Sequence, residues 1–338
     1  MYTDHYGLAE RPFQLTPDAR YWYESRTHKK AMAYLGYGLA QGEGFIVITG
    51  EIGAGKSTLV AHLMATIDRE RLNAVSLVST QVEGDDMLRL AAQGLGLDTE
   101  GVAKAQLLDR VEQRLREEAA KGKRTLLVVD EAQNLPVSAL EELRMLSNFT
   151  SQGRALIQIF LLGQPEFRDR VAAEDSLEQL RQRVIASHHL EAMEANEVEP
   201  YAVHRLAVAG WQGRPSFEPD AFAALYRHSG GVPRKLNQLA TRLMLYAGVE
   251  RLETISGHDV EAVAADMAAD RPASASKRVL PLRGLAAAAE QPADASLERR
   301  IAAIEARLDE QEGAVRRVLT VLLDWVENES RPRRSNAA

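Results

Sequence analysis

Residues 45–58, FIVITGEIGAGKST, constrain the fold more tightly than any other stretch of the chain. An apolar, β-rich run breaks into glycines, ends on a lysine and two hydroxyls, and leads into the helix-forming STLVAHLMATI. Strand, glycine loop and helix in that order is the context in which G-x-x-x-x-G-K-[ST] cradles phosphate. Gly50, Gly53 and Gly55 let the backbone wrap with its amides inward, and the new helix adds the positive end of its dipole. The expected binding loop is therefore Gly50, Glu51, Ile52, Gly53, Ala54, Gly55, Lys56, Ser57 and Thr58. In it Lys56 reaches the β- and γ-phosphates of a nucleotide, and Ser57 offers its hydroxyl to Mg²⁺. A glycine-rich turn before an ordinary helix is the plainer alternative.

Four more short β-rich runs follow, at 74–79, 125–130, 155–163 and 184–190, with helical patterns between them at 106–121 and 138–148. Strands apolar on both faces that alternate with helices imply a parallel sheet sandwiched by helices. From about residue 194 the strand signals stop, and the stretches 199–210, 220–230, 233–248 and 258–267 each read as a helix. The expected organisation is an α/β domain over 1–192 that includes an aromatic N-terminal segment, then a small all-helical domain over 193–270. Residues 271–294, rich in Ala, Pro and Ser, read as a linker. Over 295–328, Leu297, Ile301, Ile304, Leu308, Gln311, Val315, Val318, Leu322 and Trp325 step by fours and threes, the seam of a C-terminal coiled coil. An amphipathic helix lying on the body of the protein fits the same spacing. The basic tail, 329–338, is an anion contact or a solvated end.

A phosphate loop does not by itself distinguish kinases, switches and motors. LLVVDEAQNL, 126–135, discriminates. Its apolar run puts Asp130 at the C-terminal edge of a buried strand, where ligands bind in such sheets and where it can hold the water shell of Mg²⁺. Glu131 follows, placed to polarise a water for attack on the γ-phosphate, so the pair favours hydrolysis. The same two letters also suit a helix N-terminus. Gln164, just past another strand, can sense the γ-phosphate or simply turn the chain before Pro165. Arg181 and Arg183 end the sheet domain, as trans-acting guanidinium groups or as surface ion-pair formers. Arg234 sits in the first turn of a helix, where positive charge is locally unfavourable, so an external anion is its expected partner.

The formal net charge of −7 argues against general affinity for nucleic acid or anionic membrane. The absence of cysteine excludes disulfides and thiol chemistry. No run reaches the ~18 apolar residues of a membrane span. With no secretory signal pattern at the N-terminus, a cytoplasmic protein is expected, at the inner membrane only through a partner.

Taken together and in order, these motifs resemble the AAA+ P-loop ATPases: GEIGAGKST resembles Walker A, LLVVDEAQ Walker B, Gln164 sensor 1, the RQR of 181–183 the arginine-finger region, and GGVPR sensor 2. The N-terminal stretch from Tyr6 through the phosphate loop is similar to the general secretion pathway protein A family, in the branch associated with exosortase and exopolysaccharide gene clusters. The resemblance covers residues 1 to about 270. It implies ATP and Mg²⁺ as cofactors, an ATPase that assembles as a homo-oligomer through its AAA+ edges or its coiled coil, and partners in envelope export or polysaccharide assembly. It also implies a helical lid, and base contacts from Phe13 to Pro17. Two alternatives stay open: a DNA-binding transposition-helper ATPase, and a slow nucleotide switch acting as a scaffold.

Overall fold

The computed structural model describes residues 2–78 and 83–270. Its centre is a five-stranded, all-parallel sheet of β1 (Phe45–Gly50), β2 (Leu72–Val78), β3 (Arg124–Asp130), β4 (Ile157–Gly163) and β5 (Val184–Leu190). The spatial order is β2-β3-β4-β1-β5. All five strands fall where the sequence places them. β1 and β4 are buried at every position, as expected for strands covered on both faces.

The two-residue period of a strand assigns each face. Phe45, Leu127, Val129, Ile159 and Leu161 point to one core, closed by α3 (Gly84–Gly94), α4 (Lys104–Ala120) and α5 (Val137–Leu146). Ile46, Ile48, Leu126, Val128, Phe160 and Leu162 point to the other, closed by α1 (Arg26–Gln41) and α2 (Lys56–Thr66). Each such side chain contributes about 1.5–3 kcal/mol by leaving water, so the sheet is the rigid part of the molecule. Register aligns the strand ends that matter: Thr49 lies beside Gly163, Gly50 beside Leu190, and Val129 beside Leu161. The tips of β1, β3 and β4 therefore open on one edge.

After α6 (Pro165–Ala173) and β5 come α7 (Ala195–Val208), α8 (Pro219–Ser229), α9 (Pro233–Glu250) and α10 (Gly257–Ala269). Reciprocal capping boxes start α7, through Glu194 and Glu197, and α10, through Ser256 and Asp259. This lid is helical except for a two-residue parallel pairing of Ser216–Phe217 with Thr254–Ile255. The aromatic N-terminal segment, expected with the sheet domain, packs into the lid instead: Tyr2, Tyr6, Leu8 and Phe13 share a core with Leu206, Leu236 and Met244. Backbone and side-chain bonds pin it there, Ala9 N–H to the Ala209 carbonyl at 2.9 Å and Tyr6 hydroxyl to the Leu252 carbonyl at 2.9 Å. The linker, coiled coil and basic tail lie outside the described residues.

Candidate nucleotide site

The loop between β1 and α2 has the backbone that its glycines predict. Gly53 and Gly55 take φ of 87° and 100°, in the left-handed region that side chains disfavour. A Cβ at Gly55 would fall 2.6 Å from Nε2 of His28, and one at Gly53 would overlap the side chain of Arg234. Lys56 opens α2 and is only 7% exposed, its ammonium donating to the carbonyls of Gly50 at 2.6 Å and Glu51 at 3.1 Å. Burial pushes its pKa down, against the opposing pull of Glu131 and Asp130. A partly desolvated ammonium with loop amides beside it suits a multiply charged anion.

Asp130 stands at the tip of β3 as the sequence predicts. Its carboxylate accepts from the Ser57 hydroxyl at 3.2 Å and from the Glu131 backbone N–H at 2.9 Å. Burial raises its pKa first, the Glu131 carboxylate adding to the rise while its hydrogen bonds and Lys56 oppose it. Among the described residues no cluster of three or more acidic or imidazole groups could hold a metal ion. The donor set is thus one hydroxyl and one carboxylate, an all-oxygen pair that suits Mg²⁺, which takes most of its shell from phosphates and water.

Glu131 occupies a left-handed conformation, φ 57° and ψ 39°, unusual for a residue with a side chain. Its Oε2 accepts from the side-chain amide of Gln133, and Nε2 of Gln164 lies 3.5 Å from the same oxygen. Gln164, expected as a γ-phosphate sensor or a turn residue, stands at the N-cap of α6 with its side-chain amide beside the Glu131 carboxylate.

Lys56, Ser57, Glu131 and Gln164 line one cavity of about 410 Å³, with residues of the lid on its far side. Arg234 lines it, and its backbone N–H donates to the Gly53 carbonyl at 3.1 Å, so α9 rests its first turn on the phosphate loop. At the other end the cavity is walled by Gln14 to Asp18, Tyr21, Trp22, Tyr201, Arg205 and Asn237. Of the expected base contacts, Gln14 to Pro17 reach the cavity and Phe13 does not. Its ring is 2% exposed and belongs to the lid core.

The wall here is a polar network the sequence did not disclose. Arg205, 6% exposed, donates to the carbonyls of Pro12 at 2.7 Å and Gln14 at 3.0 Å, and its guanidinium lies 4.6 Å from the Tyr21 ring centre. Tyr201 donates to Asn237 at 2.8 Å. Trp22 stacks at 4.3 Å on His62 of α2. None of these pairs is close in sequence, so no local pattern could reveal them.

Arg181 and Arg183 are elsewhere. Arg181 caps α6 by donating to the carbonyls of Val171 and Ala172 and pairs with Glu178. Arg183 donates to the Ser147 hydroxyl at 3.0 Å, and its carbonyl accepts from the N–H of Phe45, the first residue of β1. Both thus sit at the N-terminal edge of the sheet, opposite their own chain's phosphate loop.

Strand order, glycine loop, acidic strand tip and helical lid together define a P-loop ATPase of the AAA+ class. A family model described as an AAA domain matches residues 39–171. General secretion pathway protein A from Aeromonas hydrophila is 36% identical over 272 residues, covering 80% of this chain and 49% of its own length. The chain belongs to the AAA+ ATPases of that general secretion pathway protein A family, and it spans about half the length of this curated relative. The fold is also similar to Cdc6p from Pyrobaculum aerophilum, with a TM-score of 0.59 at 16% identity over 75% of this chain and 70% of that one. The ORC2 protein of Aeropyrum pernix in its ADP form gives 0.57 at 16% identity, over 76% and 72%.

Proposed function

We propose that this chain couples Mg²⁺-dependent ATP hydrolysis to an envelope export system, at the cytoplasmic side of its partner. The observation that carries the reading is the convergence of Lys56, Ser57 and Glu131 on one cavity that Arg234 also lines, with the Asp130 carboxylate hydrogen-bonded to Ser57. Lys56 and the loop amides hold the β- and γ-phosphates, and the Ser57 hydroxyl and the Asp130 carboxylate stand where they would hold Mg²⁺. The metal, when bound, supplies charge neutralisation on the phosphates. Glu131 takes the proton of the attacking water. Gln164 and Arg234 report the γ-phosphate, and Arg234 passes that report to the lid through its seat on Gly53.

Arg181 and Arg183 lie on an edge from which a neighbouring copy's nucleotide is the one within reach, which supports a homo-oligomer. The link to secretion is supported by the relative's name, and exopolysaccharide or exosortase partners are the narrower expectation. The test is a pair of variants. Lys56→Ala should lose tight ATP binding. Glu131→Gln should bind ATP with unchanged affinity yet turn over at least about 100-fold more slowly, the scale of a lost general base. Turnover by the Glu131→Gln protein at the wild-type rate would remove the assigned base. Acceleration by DNA, with none by export proteins, would favour a nucleic-acid helper instead.

A further inference from the structure

The geometry points to Gln133 as the positioning residue for the Glu131 carboxylate, tying it to the tip of the neighbouring strand. This rests on the reading of Glu131 as the base and deepens it. Gln133 lies in the short helical turn Ala132–Asn134 that follows β3. The turn is firmly anchored: Ala132 is fully buried, Leu135 is 1% exposed, and the Leu135 carbonyl accepts from Arg170 of α6 at 2.6 Å. From there the Gln133 amide makes two bonds of opposite polarity. Its Nε2 donates to Oε2 of Glu131, and its Oε1 accepts the backbone N–H of Gln164 at 3.0 Å.

A side-chain amide has one acceptor and one donor end, so each partner fixes which way it lies. The carboxylate demands the NH₂ end and the backbone N–H demands the oxygen. Both are satisfied by a single orientation, and the reverse would leave both bonds unmade. Gln133 is therefore a polarised strut between the tips of β3 and β4.

A glutamate side chain left free on a strand tip samples many rotamers, and ordering it costs conformational entropy. Proton abstraction requires hydrogen-bond reach to one water, so a carboxylate that wanders loses rate without losing affinity for the nucleotide. The strut holds Oε2 and leaves Oε1, which makes no hydrogen bond among the described residues, as the oxygen free to meet the water. Because the same amide grips the Gln164 backbone, a shift of the β4 tip on sensing the γ-phosphate moves the carboxylate with it.

The test measures kcat and KM for ATP, with affinity read separately from a fluorescent ATP analogue, in full-length Gln133→Ala and Gln133→Glu proteins. Gln133→Ala should lower kcat about 10- to 100-fold with analogue affinity within twofold of wild type. Gln133→Glu has nearly the same size and keeps an oxygen for Gln164, but turns a second oxygen on the Glu131 carboxylate. It should lose at least as much rate as the alanine variant, whereas a packing role predicts that it is the milder change. In the Glu131→Gln background, adding Gln133→Ala should cause no further loss, because the strut acts only through the base.

Turnover within twofold of wild type in either single variant, or an equal further loss in the Glu131→Gln background, overturns the assignment. An active Glu131→Gln enzyme would instead remove the base itself. An inactive one beside a fully active Gln133→Ala would sink the strut alone.

Discussion

At the scale of single residues, His28 shows how the phosphate loop is braced from behind. It is buried beside Gly55, and its Nδ1 lies 2.6 Å from the Ser25 hydroxyl. Burial pulls its pKa from an ordinary 6.5 down to about 4, the Gly55 backbone opposing in part. The folded protein therefore keeps the ring neutral, while the unfolded chain accepts a proton as pH falls below about 6.5. Between those values the unfolded state binds more protons, so stability declines as pH drops, and above the upper value His28 contributes no pH dependence. The loss amounts to about 2 kcal/mol between pH 7.5 and pH 5. His62, His188, His189 and His204 are also lowered by burial, so the difference between proteins isolates the effect. Denaturant unfolding of wild type and His28→Asn at both pH values should show a shallower acid loss in the variant. Equal losses would place that proton elsewhere. Lys56, Ser57, Asp130 and Glu131 were legible in the sequence because each belongs to a contiguous motif beside its own strand. His28, Gln133 and Arg205 were not, because each also depends on a contact distant in sequence, Gly55 for His28, the Gln164 backbone for Gln133 and the Pro12 and Gln14 carbonyls for Arg205, that only the fold creates.

At the scale of elements, the phosphate loop and the start of α9 are a mated pair. Strands were readable because full burial leaves nearly continuous apolar runs, as in β1 and β4, where Thr49 and Gln158 are the buried polar exceptions. The helices α1, α3 and α6 carry no comparable sequence signal. α1 is interrupted by Gly36 and Gly38, and Gly38 lies where a side chain would strike Ile46, so packing against β1 rather than propensity specifies it. Contact of the same kind makes Gly53 the sensitive point of the site. Gly53→Ala forces a side chain into a left-handed conformation at about 1–2 kcal/mol, and its methyl would also displace Arg234. ATP affinity should fall at least about tenfold, the equivalent of 1.4 kcal/mol, in a titration with a fluorescent analogue. Gly122, with φ of 77° and open space around it, is the control for backbone strain alone. Gly122→Ala should leave affinity unchanged, and equal weakening in both would show that the mated contact is irrelevant.

At the scale of the whole described molecule, the N-terminus closes the lid rather than the sheet, and this sets how the two parts melt. Phe13 is a fully enclosed member of the lid core, and its carbonyl accepts from Thr241 of α9 at 3.0 Å. The next residue, Gln14, offers its carbonyl to Arg205, so the segment that fills the lid core runs straight into the cavity wall. Removing the ring in Phe13→Ala should cost about 3–5 kcal/mol, and the cost falls on the lid because the sheet has its own two cores. A lid loosened that far should melt first, as a separate calorimetric step below the sheet transition. The cavity is lined by residues of both parts, so a non-hydrolysable ATP analogue with Mg²⁺ at 100 times its dissociation constant should add about 2.7 kcal/mol to the joined state. That is enough to draw the lid step several degrees back toward the sheet transition. The Lys56→Ala, Phe13→Ala double variant should show the early step without the recovery. One unbroken transition in Phe13→Ala, at the wild-type midpoint, would show that the N-terminal segment is dispensable to the lid.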